Sequence, residues 1–169
     1  MSGFRWVLWV PVLAGLTGAF AFSGTVTHVT DGDTVWVRPD GSRPVPVRLY
    51  GIDAPESCQA GGPEATEALA TRVLRREVTV DSSAHDGYGR VVGTVWLRGE
   101  DIGAWLVAQG HAWSPGYRRA NGPYADEERL ARTRHRGLFA APAIEPRQFR
   151  RDHGPCPRPP GKRQPATGR

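Results

Sequence analysis

The chain has 169 residues, 22 of them Lys or Arg against 17 Asp or Glu, a formal net charge of +5, and 39% hydrophobic residues. That length suits one domain with a real core, no internal repeat is visible, and two cysteines with His153 are too few for a zinc site. The basic excess fits a polyanionic partner such as nucleic acid, because lysines and arginines gain affinity by releasing counterions from phosphates, although much of it lies in the tail.

Arg5 precedes a largely apolar run from Trp6 to Phe22 that contains Ala19-Phe20-Ala21. A basic start, a short apolar core and an A-x-A end read as a secretory signal peptide, residues 1–21, cleaved after Ala21. The run is short for a membrane span, and the alternative is an uncleaved N-terminal anchor. Export would deliver the protein to the periplasm or the medium. The domain then occupies 22–140, followed by a Pro/Arg-rich tail at 141–169.

Between Gly24 and Leu49 three strands are expected, with Val26 and Val29, Val35 and Val37, and Val45, Val47 and Leu49 facing inward. Asp31-Gly32-Asp33-Thr34 is a turn signal, and Pro39-Asp40-Gly41-Ser42 marks the next hairpin. Pro44 and Pro46 demand a free edge or a bulge beside the third strand. Gly61-Gly62-Pro63-Glu64 opens a helix whose apolar stripe is Ala65, Ala68, Leu69 and Val73, with Arg72, Arg75 and Arg76 facing out. Two further strands, Val78 to Val80 and Val91 to Leu97, flank the turn Asp86-Gly87-Tyr88-Gly89-Arg90. Asp101 caps a short helix that Gly110 stops. A last helix begins near Asn121-Gly122-Pro123, with acids early and arginines late. In the loop between these helices, Trp113, Tyr117, Arg118 and Arg119 mix aromatic and basic residues of the kind that stack bases and hold phosphates. Trp113 suits the core as well as it suits a contact, and Tyr117 is the better binding candidate. Beyond Ala140 periodicity is lost, so a tail laid on the domain and then disordered is expected. Cys58 and Cys156, an even pair in an exported chain, invite a disulfide that ties this tail beside the Glu56 loop.

Five strands with a helix after the third describe a β-barrel rather than a parallel α/β sheet. At its strand ends sit Asp33, Arg48, Asp53 and Glu56. Asp33 and Asp53 are hard oxygen donors suited to calcium or magnesium. The alternation of Val45, Val47 and Leu49 puts Arg48 on the opposite face, in solvent or in a polar site. Arg90 supplies a second guanidinium, and two such forks near a divalent ion can clamp a phosphate.

Asp31-Gly32-Asp33-Thr34, Arg48 through Glu56, and Asp86 through Arg90, in this order and spacing, resemble the staphylococcal nuclease (thermonuclease) family over roughly residues 24–140. The resemblance implies an α+β fold, a five-stranded OB barrel with about three α-helices, and a calcium-dependent phosphodiesterase acting on DNA and RNA. It implies Asp33, Asp53 and the Ala54 carbonyl as calcium ligands, with the ion polarising a phosphoryl oxygen. Arg48 and Arg90 would hold the phosphate and stabilise its transition state, and Glu56 would orient or deprotonate the attacking water. It further implies 3′-phosphate products and a terminal nucleotide lying against Tyr88 and Tyr117. Position 54 departs from the family's common threonine, which removes a hydroxyl near the ion. A monomer is favoured. The rival readings are a catalytically inactive OB module that binds single strands and a structural barrel whose rim charges form an ion-pair network.

Overall fold

The computed structural model describes residues 20–118 and 120–157. Residues 1–19 of the expected leader, Arg119 and the tail from residue 158 lie outside them. Strands β1 (Phe20–Asp31), β2 (Thr34–Arg38) and β3 (Val45–Leu49) run antiparallel in succession, and β4 (Glu77–His85) and β5 (Val91–Leu97) form a second antiparallel pair. The order β3-β2-β1-β4-β5 closes on itself because β3 also pairs in parallel with β5. The result is the expected five-stranded barrel, extended by a two-residue strand β6 (Glu100–Asp101) that pairs with the end of β5.

β1 serves two neighbours. Phe20 to Thr25 pairs with β4, whereas Thr25 to Asp31 pairs with β2, and register shifts between Val26 and His28 and between Val29 and Asp31 bend the strand between them. Pro46 faces Trp36 on β2, while the β5 pairing starts only at Val47, so the missing proline donor falls where β3 has a free edge. Val26, Val35, Val37, Val47, Val80 and Leu49 fill the barrel and are at most 1% exposed. β-Branched residues suit these pleated positions, and each such buried side chain contributes roughly 1.5–3 kcal/mol.

Helix α1 (Gly62–Val73) lays Ala65, Leu69 and Val73 on that core, with Ala68 only half-buried. Arg75 and Arg76 are exposed, and Arg72 pairs with Glu100 across the Trp105 ring. Helix α2 (Ile102–Ala108) is capped by Asp101, whose Oδ1 accepts from the Gly103 and Ala104 amides, and it buries Ile102, Leu106 and Val107. Helix α3 (Ala125–Thr133) and a 3-10 turn (Gly137–Ala140) enclose a second small cluster of Trp113, Ala131 and Phe139. Trp113 is core, edge-on to Phe139 at 5.9 Å.

The tail differs from expectation. Instead of aperiodic chain, residues Pro146–His153 form a fourth helix, α4, with Pro146 in its first turn and Gly154 at its C-cap. The helix is amphipathic, yet of its own residues only Pro146 is buried. The helix is fixed by tertiary bonds instead, namely the expected Cys58–Cys156 disulfide and the Gln59 Nε2 donation to the Ile144 carbonyl at 2.6 Å. Among the described residues no helix is long and apolar enough to cross a membrane.

Candidate active site

Asp33 lies in the tight β1–β2 turn. Gly32 has no alternative there, since a Cβ would stand 2.7 Å from the Ala54 Cβ and 2.8 Å from the Ala65 Cβ. The turn thereby seats Asp33 against the loop that follows β3, and the Ala54 amide donates to Asp33 Oδ2 at 3.3 Å. That loop begins at Gly51, which has a φ of +73°. It is pinned by the Asp53 and Trp113 backbones.

β3 pairs Arg48 with Thr34, so the guanidinium projects beside the turn. Its Nη1 donates to Asp33 Oδ1 at 2.8 Å and its Nη2 to Asp53 Oδ1 at 3.0 Å. One arginine thus joins the two expected metal ligands. Thr34 continues the chain, donating to Asp33 Oδ1 at 2.9 Å and accepting from Arg90 Nη1 at 3.2 Å. Arg90 is held in its turn by Asp86, which accepts from its Nε at 2.8 Å and from the Arg90 and Tyr88 amides.

The electrostatics follow from this burial. Desolvation pushes the Asp33 carboxyl up to about 7, with Asp31 and Asp53 adding to the effect and Arg48 and Thr34 opposing it. At Arg48, burial works against the charge, yet Asp33 and Asp53 outweigh it and hold the guanidinium above its ordinary value. Asp86 is drawn below the usual carboxylate range: its slight burial is outweighed by hydrogen bonds from Arg90 and from the Tyr88 amide.

Glu56 joins the cluster through a residue that was not anticipated. Arg150 of α4 donates from Nη1 to Glu56 Oε1 at 2.6 Å and from Nη2 to Asp53 Oδ2 at 3.1 Å. The sequence signals that could have found it were Pro146 as a helix start and Gly154 as a stop, which together frame a basic helix.

The chemistry of the donors fits a hard divalent cation. Asp33 is a buried carboxylate whose charge is stabilised by Arg48 and by hydrogen bonds from Thr34 and the Ala54 amide, and it shares Arg48 with Asp53. Among the described residues no three Asp, Glu, His or Cys side chains group as a metal site. An ion held by two carboxylates would therefore complete its shell with backbone carbonyl, water or substrate oxygens, as calcium tolerates.

Tyr88 and Tyr117 are 89% and 75% exposed. Tyr88 lies under the Arg90 guanidinium, 5.5 Å from its ring centroid, and so borders the cluster. Tyr117 lies under Arg118 in the loop between α2 and α3, and among the described residues it shares no hydrogen bond with the cluster.

A family model described as "Staphylococcal nuclease homologue" matches residues 46–141. The chain is 43% identical over 144 residues to Protein ParB of Escherichia coli, covering 76% of this chain and 79% of that one. It is 36% identical over 142 residues to the micrococcal nuclease of Shigella flexneri, covering 77% and 81%. It is also 32% identical over 127 residues to an uncharacterized endonuclease of Haemophilus influenzae, covering 75% and 71%.

Proposed function

This chain belongs to the staphylococcal nuclease family, and from that premise we propose that it is an exported, calcium-dependent nuclease cleaving DNA and RNA. It is a hydrolase of phosphodiester bonds that depends on a metal ion. The finer terms of the proposal concern the ion, the substrates and the compartment.

The observation that carries the site assignment is the continuous hydrogen-bonded path from Arg90 through Thr34, Asp33 and Arg48 to Asp53. It gathers two guanidinium forks suited to phosphate and two carboxylates suited to a metal from separate loops and strand ends. In the proposed mechanism Arg48 and Arg90 grip the non-bridging phosphate oxygens and strengthen that grip as charge builds on them. Glu56, a partly exposed carboxylate beside Asp53, orients the attacking water and accepts its proton. Asp33, Asp53 and the Ala54 carbonyl would hold calcium, which supplies polarisation of a phosphoryl oxygen and offsets transition-state charge. Tyr88 and Tyr117 offer exposed rings for the nucleotide beside the cut. The proposed product carries a 3′-phosphate.

Export is supported by the A-x-A leader signal and by the Cys58–Cys156 disulfide, a bond that persists in oxidising compartments. Phe20 and Ala21 are exposed strand residues, so cleavage after Ala21 would shorten β1 without opening the core.

The test is cleavage of single- and double-stranded DNA and of RNA by protein lacking residues 1–21, with calcium, magnesium or chelator. Calcium-dependent cleavage that Glu56→Ala or Arg90→Ala abolishes is expected. Nucleic-acid binding without cleavage in any metal, by folded and oxidised protein, would replace the proposal with an inactive binding module.

A further inference from the structure

Arg150 lies beyond residues 46–141, outside the stretch that the family model matches. It nevertheless reaches the centre of the cluster. Besides its bonds to Glu56 and Asp53 Oδ2, its Nη1 stands 3.4 Å from Asp53 Oδ1. Burial opposes its charge, yet Asp53 and Glu56 outweigh burial and hold it above its ordinary value.

The placement of Arg150 is built in. The segment before it is tied by Gln59 Nε2 to the Ile144 carbonyl, and the segment after it by the Cys58–Cys156 bridge. Gln59 Oε1 in turn accepts from the Glu56 amide at 3.1 Å. Both flanks of Arg150 are thus fastened to Cys58 and Gln59, which closely follow Glu56 in the same loop. The guanidinium cannot drift far from this site while the bridge is closed.

Its partners are the carboxylates that a cation would claim. With all three carboxylates ionised, Asp33, Asp53 and Glu56 bond with Arg48 and Arg150 as one set, which leaves a single negative charge in excess. A divalent ion on the two aspartates would turn that into a single positive excess, which matches the charge of one phosphodiester. Under those conditions Arg150 shares Asp53 with a stronger cation, and its fork is free to take the next anion within reach.

We propose that Arg150 is a third phosphate-binding arginine of this active site, carried by α4 and the disulfide rather than by the barrel, and resting on Asp53 and Glu56 when these bear no cation. The assignment rests on the nuclease reading of the site. Arg48 and Arg90 come from barrel strand ends and grip from within. Arg150, with its side chain 42% exposed, contacts the substrate from the solvent side.

Two measurements on the oxidised chain lacking residues 1–21 test it without relying on turnover. The first is a calcium titration by calorimetry with no nucleic acid present. Arg150→Ala is expected to bind calcium several-fold more tightly, because a competing charge has left Asp53. The second is binding of a phosphorothioate-linked oligothymidylate in calcium, read by fluorescence anisotropy. Arg150→Ala is expected to bind about tenfold or more weakly, the range for losing charge-assisted hydrogen bonds, and Arg150→Lys to recover part of that loss. Unchanged oligonucleotide affinity in Arg150→Ala would overturn the proposal whatever calcium does, and so would weaker calcium binding, which would mark the residue as scaffold. Wild-type protein that binds the phosphorothioate strand but leaves ordinary DNA uncut would sink the nuclease reading, and with it the active-site role of Arg150, while a loss of binding in Arg150→Ala would still identify a phosphate contact.

Discussion

The backbones of Asp53 and Trp113 exchange two hydrogen bonds of 3.0 Å each, Asp53 N to Trp113 O and Trp113 N to Asp53 O. The indole on one side of this bridge is buried against Phe139, while the carboxylate on the other faces the arginine cluster. Packing in the smaller core therefore sets the position of a site carboxylate. Trp113→Ala is expected to lower stability by about 3–5 kcal/mol, measured by urea unfolding, and to weaken calcium binding in the fraction that remains folded. Full calcium affinity in a destabilised variant would show that Asp53 is placed by its arginines alone.

Arg48→Ala, Arg90→Ala and Glu56→Ala should each reduce cleavage by about 10²- to 10³-fold. Only Arg48→Ala leaves two neighbouring carboxylates without their shared counter-ion. Its melting temperature in chelator should therefore fall furthest of the three, and calcium should restore more of it than in the wild type. Equal calcium-induced shifts in all three variants and in the parent would place the ion elsewhere.

The Asp33 carboxyl titrates at about 7 in the fold against an ordinary 3.8. Between these values the folded form holds a proton that the unfolded chain has released, so the stability contributed by this group is present at low pH and lost as pH rises through about 7. Asparagine mimics the neutral form. In chelator, the melting temperature of Asp33→Asn relative to wild type should start near equality at about pH 4 and become several degrees favourable by about pH 8. A difference that stays flat with pH would show that burial does not dominate at this carboxyl.

The disulfide spans a sequence separation of 98 residues. Reduction, or Cys58→Ser with Cys156→Ser, should lower stability by about 2–5 kcal/mol, seen as a drop in the urea midpoint. α4 buries little of its own, so proteolysis should then cut first between residues 141 and 157. Cleavage starting within the barrel would contradict that order.

The barrel was legible because its strands alternate cleanly and its turns carry Gly, Pro and Asp. Val35, Val37, Val47 and Leu49 are buried as read, and the Asp31–Thr34 and Pro39–Ser42 turns stand where expected. The meeting of Asp33 with Arg48 depends on the Thr34–Arg48 register, which sequence could suggest only as shared strand ends. α4 escaped notice for a physical reason: its helix is held by a disulfide, a side-chain amide and ion pairs rather than by a buried apolar stripe, so its arginine-rich sequence has no run of core residues to mark it. Arg150 was hidden with it. Trp113 resolved into the core because Phe139 and Ala131, distant in sequence, supply its walls.

The parallel pairing of β3 with β5 also bears on the order in which the chain can assemble. Val47, Arg48 and Leu49 find their second neighbours only at Val91, Val92 and Gly93, after α1 and β4 have been laid down. Until then the growing polypeptide carries a three-stranded sheet with an open hydrogen-bonding edge, and such edges recruit other chains. Long-range closure of this kind is slow relative to local hairpin formation. Substitutions that weaken β5 would accordingly announce themselves as low yield and aggregation during synthesis, before any purified enzyme could reveal a defect.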